Sequence, residues 1–200
     1  MKAGGTGILG GSFDPVHIAH LAAAHASLAA LHLERVLWIP GGTPPHRGAP
    51  VASAAHRAAM IRLAIAGEPR FTLDEREVRK SSPSFTVETL EALQAELGPR
   101  AGLTLLIGAD QYEKLTTWHR WKDLFEFARI AVFARPHHTL APSAGDHPVT
   151  VVPMTPLDVS STQIRRRIAA GETVRGMVPE AVLDYIQTHH LYSSQEHQQI

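Results

Sequence analysis

The chain has 200 residues, 44% of them hydrophobic, and 19 basic side chains balance 19 acidic ones. That length and apolar content suit one domain with a sizeable core, and zero net charge disfavours a broad electrostatic grip on nucleic acid or an anionic membrane. The chain holds no cysteine, which excludes disulfides and thiolate metal sites and fits a reducing compartment. With no secretory leader and no apolar stretch of membrane-spanning length, the expectation is a cytoplasmic protein. One domain is expected over residues 1–192, followed by a polar tail over 193–200.

In chain order, Gly7-Ile8-Leu9 reads as a first buried strand, followed by a glycine turn and a helix opened by His17 and His20. Ile18, Leu21, Ala22, His25 and Leu28 recur at helical spacing, which predicts an apolar stripe with His25 packed into the core. Arg35–Pro40 reads as a second strand, closed by Gly41-Gly42. Met60, Ile61, Leu63 and Ala64 fall within a second helix capped by Ser53. Phe71-Thr72-Leu73 is a short third strand, and Val87, Leu90, Leu93 and Leu97 mark a helix ended by Gly98-Pro99. Leu103–Gly108, Ile130–Ala134 and Val149–Val152 complete the strands, Ser160–Ala170 is a helix stopped by Gly171, and Pro179 starts the last one. Pro136–Pro148 reads as a flexible loop.

Short apolar strands alternating with helices predict an α/β fold: a doubly wound, Rossmann-like parallel sheet with helices on both faces and a small helical C-terminal part. Ligands of such sheets bind beyond the carboxyl ends of the strands. The glycines after the first strand and the Gly108-Ala109-Asp110 turn both belong to that edge.

The residues at that edge point to phosphate. Gly10, Gly11 and Ser12 let backbone approach a ligand just before a helix N-terminus, where N–H groups and the helix dipole favour anions. His17 and His20, three residues apart, share one helix face. No third ligand stands at a supporting spacing, so no metal site is expected. Ser160-Ser161-Thr162-Gln163-Ile164-Arg165 places Ser161, Thr162 and Arg165 on one face at a helix start, two hydroxyls and a guanidinium suited to a polyphosphate. The same hydroxyls would also serve as plain helix caps. Arg166 and Arg167 rotate away from that face and are expected to be solvated. Pro44-Pro45-His46-Arg47 is a stiff loop able to clamp a phosphate or simply to cover surface. Trp118, amid polar neighbours, is expected at a rim where it could stack on a planar ring. Asp110 could bond a ribose hydroxyl or cap a helix, and Asp74-Glu75-Arg76-Glu77 reads as a solvated face.

GGSFDPVHIAH, Gly10 to His20, resembles the GxFxPxHxGH signature of the nucleotidyltransferase superfamily, and SSTQIR resembles its second mark, an (S/T)xxxR helix start. IPGGTPPHR, FTLDEREVRKSSPSFTVETL, IGADQYEKLTTWHRW and the closing HLY narrow the resemblance to bacterial nicotinate-nucleotide adenylyltransferases, over residues 7–192. The resemblance implies in-line attack by the 5′-phosphate of nicotinate mononucleotide on the α-phosphorus of ATP, giving nicotinate adenine dinucleotide and pyrophosphate. Magnesium would accompany the ATP, without a permanent carboxylate site.

By that resemblance His17, His20 and Arg165 are catalytic. Gly10, Gly11, Ser12, Gly108, Asp110, Arg135, Ser161, Thr162 and Arg165 contact ATP. His46, Arg47, Thr86, Trp118 and His119 contact the nicotinate nucleotide. Two positions depart from the family pattern: Ala19 stands where relatives carry glycine, and His119 where many carry tyrosine.

The alternatives are a phosphopantetheine or nicotinamide-mononucleotide adenylyltransferase, a cytidylyltransferase, and, from other classes, a synthetase-like tRNA binder or a non-catalytic nucleotide sensor. Lack of basic charge argues against the tRNA binder. Neither nucleic acid nor membrane is expected as a partner, and association with a second copy is left open.

Overall fold

Six apolar runs form strands in a computed structural model that describes residues 4–42, 50–80, 82–133, 145, 147–155 and 157–193. They are β1 (Thr6–Gly11), β2 (Arg35–Pro40), β3 (Phe71–Leu73), β4 (Leu103–Gly108), β5 (Arg129–Phe133) and β6 (Val149–Val152). All pairings are parallel, in the order β3-β2-β1-β4-β5-β6. The chain winds outward from β1 in one direction and then, from β4, in the other. This is the doubly wound topology expected from the alternation of strands and helices.

Both faces of the sheet are covered, because a parallel sheet has apolar residues on both sides of every strand. Leu9, Val36, Trp38, Leu106 and Ala131 point into one layer. There they meet α1 (Ile18–Ala30), α2 (Ala54–Ile65) and the C-terminal pair α6 (Ser161–Ala169) and α7 (Glu180–Thr188). Ile8, Leu37, Ile39, Leu105, Ile107 and Val132 point into the other. That layer holds α3 (Thr86–Leu97) and the short α4 (Ala109–Tyr112) and α5 (Leu124–Phe127).

Local chemistry sets most boundaries. Ser53 accepts from the His56 N–H at 3.3 Å to cap α2, and Ser160 accepts from Gln163 at 3.2 Å to cap α6. Gly98, at φ 82°, ends α3 with its N–H bonded to the Gln94 carbonyl.

Four expectations change. β1 runs through Gly10 and Gly11, so these glycines end a strand rather than form a turn after it. His25 is not in the core: its side chain is 52% exposed, 3.8 Å from Glu68 and beside the ring of Phe71. The buried stripe of α1 is Ala23, Ala24, Ser27 and Leu28, and the first three, being small, let the helix lie close to the sheet and leave His25 facing outward.

Residues 74–77 are not simply a solvated face either. Arg76 bridges Asp74 and Glu96, both at 2.8 Å. Glu77 turns inward to accept from the Thr89 hydroxyl at 2.7 Å, and burial raises the pKa of its carboxyl. Arg167 is likewise not free in solvent, since it reaches Glu172 at 3.2 Å.

Candidate active site

β1 and β4 are the neighbours from which the two halves of the sheet wind apart, the place where such sheets open a ligand crevice. Leu9 pairs with Leu106, so the glycine ends of β1 and β4 come out side by side. At Gly108 a methyl group would fall 2.7 Å from an Asp110 carboxylate oxygen, the movable end of a flexible side chain. Asp110 thus folds its carboxylate back over the strand end as α4 begins.

His17 caps α1 and His20 lies in its first turn. Their rings stack with centroids 3.7 Å apart. The His17 backbone N–H donates to His20 Nδ1 at 3.2 Å, which leaves the ring proton of neutral His20 on Nε2. Burial lowers the pKa of His17 to about 4. It lowers that of His20 well below the usual histidine range, with His17 adding to the effect. Both rings are therefore neutral donors at neutral pH. His17 Nδ1 is buried without a hydrogen-bond partner among the described residues.

The amides at the start of α1 take a smaller part than the sequence implies. The Ile18 N–H is already bonded to the Met177 carbonyl at 3.1 Å.

α6 packs its start onto the same loop. Arg165 donates to the Asp14 carbonyl at 2.7 Å and lies 3.4 Å from the Thr162 hydroxyl. Ser161 donates to the Pro15 carbonyl at 2.9 Å. The hydroxyl of Ser161 is thus engaged with the loop, while Thr162 is exposed. Thr162 and Arg165 come together as expected, and both are joined to the segment that presents His17 and His20.

Three residues that local patterns did not single out hold this arrangement. Asp14, 3% exposed, accepts from the Val51 and Ala52 amides at 2.8 and 3.0 Å and from the Tyr192 hydroxyl at 2.8 Å. Arg57, 2% exposed, donates to the Ser12 carbonyl at 2.8 Å. Two guanidiniums, Arg57 and Arg165, thus flank the Ser12–Asp14 loop around one carboxylate. The excess of positive charge suits a polyphosphate.

On the far face of the sheet, Thr86 opens α3, and Phe85 just before it packs against His119 with ring centroids 4.4 Å apart. Trp118 is half-buried at the edge of the same core layer. Arg120 pins this segment to α3 through Glu91 at 2.8 Å and to Asp123 at 2.7 Å. The start of α3 and the Trp118-His119 pair therefore form one wall. Gly42 closes in from β2, where a methyl group would fall 2.5 Å from the Glu77 carbonyl oxygen. Ala19 is accommodated within the first turn of α1. His46, Arg47 and Arg135 lie outside the described residues.

The depressed imidazoles have a consequence for stability. A histidine whose folded pKa is lowered binds its proton less readily folded than unfolded, so stability is intact above the unfolded value of 6.5 and falls as pH drops toward about 4. For His17 the full loss is on the order of 3 kcal/mol. Thermal denaturation between pH 7 and 4.5 should show a Tm that falls with acid, with a shallower fall in His17→Asn. Identical curves for the two proteins would refute the assignment.

A family model described as cytidylyltransferase-like matches residues 8–167. Among curated proteins, one from Dechloromonas aromatica named as a nicotinate-nucleotide adenylyltransferase is 46% identical, covering 93% of this chain and 96% of that protein. One of the same name from Pseudomonas aeruginosa is 42% identical, covering 93% and 96%. Among solved structures, Plasmodium falciparum nicotinic acid mononucleotide adenylyltransferase complexed with NaAD superposes with a TM-score of 0.81 at 19% identity, covering 94% of this chain and 97% of that one.

Proposed function

The chain belongs to the nicotinate-nucleotide adenylyltransferases of the cytidylyltransferase-like family, and we propose the following assignment of its residues to the reaction. The enzyme joins nicotinate mononucleotide to the AMP part of ATP, a step of NAD biosynthesis. A phosphate oxygen of the mononucleotide attacks the α-phosphorus in line, a new P–O bond forms, the bond to the β-phosphate bridge breaks, and pyrophosphate leaves.

The observation that carries this assignment is the stacked His17–His20 pair at the C-terminal end of β1, with Arg165 tied to the same loop. Such chemistry needs no covalent help from protein, only position and a preorganised field for charge that grows on the transferring phosphorus. Neutral His20 offers its Nε2–H, and His17 stands beside it. Gly10, Gly11 and Ser12 border the phosphates, Thr162 and Arg165 hold the β- and γ-phosphates, and Ser161 fixes the start of α6 against the loop. Gly108, Asp110 and Arg135 serve the adenosine side. Thr86, Trp118 and His119 frame the nicotinate ring, with the α3 N-terminus favouring its carboxylate, and His46 and Arg47 close over the nucleotide.

In this reading magnesium enters with ATP, as part of the substrate. No helix among the described residues is long and apolar enough to cross a membrane, and the reading places the enzyme in the cytoplasm.

The test is ATP- and magnesium-dependent pyrophosphate release, run in parallel with nicotinate mononucleotide, nicotinamide mononucleotide and phosphopantetheine. Strong preference for the nicotinate substrate is expected. Release with only another acceptor would overturn the ring-pocket assignment while leaving the phosphate site standing.

A further inference from the structure

Asp14 and Tyr192 lie 178 positions apart in the chain and meet in the interior, carboxylate to hydroxyl, at 2.8 Å. The Asp14 carboxylate also takes the amides of Val51 and Ala52, which follow the segment carrying His46 and Arg47, and stands 3.8 Å from the Arg165 guanidinium. One side chain thus ties together the segment leading into α2, the start of α6 and the C-terminal end of the described residues.

Phe13, next to Asp14, and Tyr192 are both non-glycine residues in the left-handed region, at φ 49° and 65°. Side chains adopt that conformation rarely, and it persists where the surroundings over-determine it. Phe13 is fully buried and sets its ring edge against His20, with centroids 4.9 Å apart. One of these residues, Tyr192, donates the hydrogen bond to Asp14; the other, Phe13, precedes the acceptor in the chain and contacts the His20 ring.

We propose that Asp14 and Tyr192 are positioning residues for adenylyl transfer: the Tyr192–Asp14 clasp, seated on the Val51 and Ala52 amides, orients Arg165. The inference rests on the phosphate role proposed for Arg165. Asp14 touches no substrate in this scheme. It acts by accepting from Tyr192 and two amides while keeping its charge toward Arg165. An asparagine cannot reproduce that pattern, because in either flip its NH₂ faces a donor: Val51 and Arg165 on one side, Ala52 and Tyr192 on the other.

The experiment is a double-mutant cycle on the full chain. It uses Asp14→Asn, Tyr192→Phe, Arg165→Ala and the pairwise combinations, with kcat/KM read from pyrophosphate release and folding from circular dichroism and Tm. Asp14→Asn is expected to lower kcat/KM about tenfold or more, and Tyr192→Phe about three- to tenfold, at temperatures well below each Tm. Adding either to Arg165→Ala should cost less than about twofold, because residues acting through one another are not additive. Effects that multiply, or wild-type turnover in both single variants, would overturn the proposal. Should Asp14→Asn fail to fold, the Tyr192→Phe cycle decides alone. Wild-type turnover in Arg165→Ala would instead sink the phosphate-grip reading on which the proposal rests.

Discussion

Replacing His20 with alanine is expected to lower kcat by about 10²–10⁴-fold while moving KM for either nucleotide far less. Preorganised donors aimed at developing charge are worth about 10²–10³ in turnover each, and His20 is stacked with a second imidazole whose placement it shares. The His17 N–H fixes the acceptor side of the His20 ring, and burial keeps the ring neutral, so the Nε2–H donor is in place before substrate binds. An alanine also leaves that N–H unpaired and removes the edge contact with Phe13. His20→Asn separates the two effects: its side-chain oxygen can take the His17 N–H, but no donor reaches the Nε2 position. Asparagine should thus restore the Tm and not the turnover. Near-native kcat in His20→Asn would show that the imidazole is a helix-capping device and not part of the reaction.

What the sequence reveals and conceals at this site follows from the range of each interaction. β2, β3, β4 and β6 stand within the runs marked by local hydrophobicity, and α6 begins one residue after its serine cap, because each depends on neighbours a few positions away. The His17–His20 pair and the Thr162–Arg165 face are legible for the same reason.

Asp14 is not legible, since its partners lie at positions 51, 52 and 192. Nothing in the spacing of GGSFDP distinguishes a buried aspartate from a turn former. Arg57 is hidden differently. It sits in a helix with apolar residues on several sides, where a cation is ordinarily solvated, and its burial is explained by partners far off in the chain, the Ser12 carbonyl and the nearby Asp14 charge. His25 shows the converse error: it falls on a plausible stripe, but the small residues Ala23, Ala24 and Ser27 decide which face meets the sheet.

Arg165 is where the local and the long-range parts of the site join, and Arg165→Ala should lower kcat by about 10²–10³-fold. The side chain is 28% exposed, open to a ligand yet held by the Asp14 carbonyl and the Thr162 hydroxyl. A guanidinium has five N–H donors in a rigid fork, so these two anchors leave others for phosphate oxygens as negative charge moves onto the leaving pyrophosphate. Lysine is not an equivalent: a point charge on a flexible stem can meet the phosphate or the Asp14 carbonyl, not both with the same geometry. Arg165→Lys is therefore expected to recover much of the ATP affinity and little of the turnover, measured as KM and kcat for ATP at saturating nicotinate mononucleotide. Full recovery of kcat by lysine would mean that charge alone suffices there. The anchoring to the Asp14 loop would then contribute to the fold and not to the transition state.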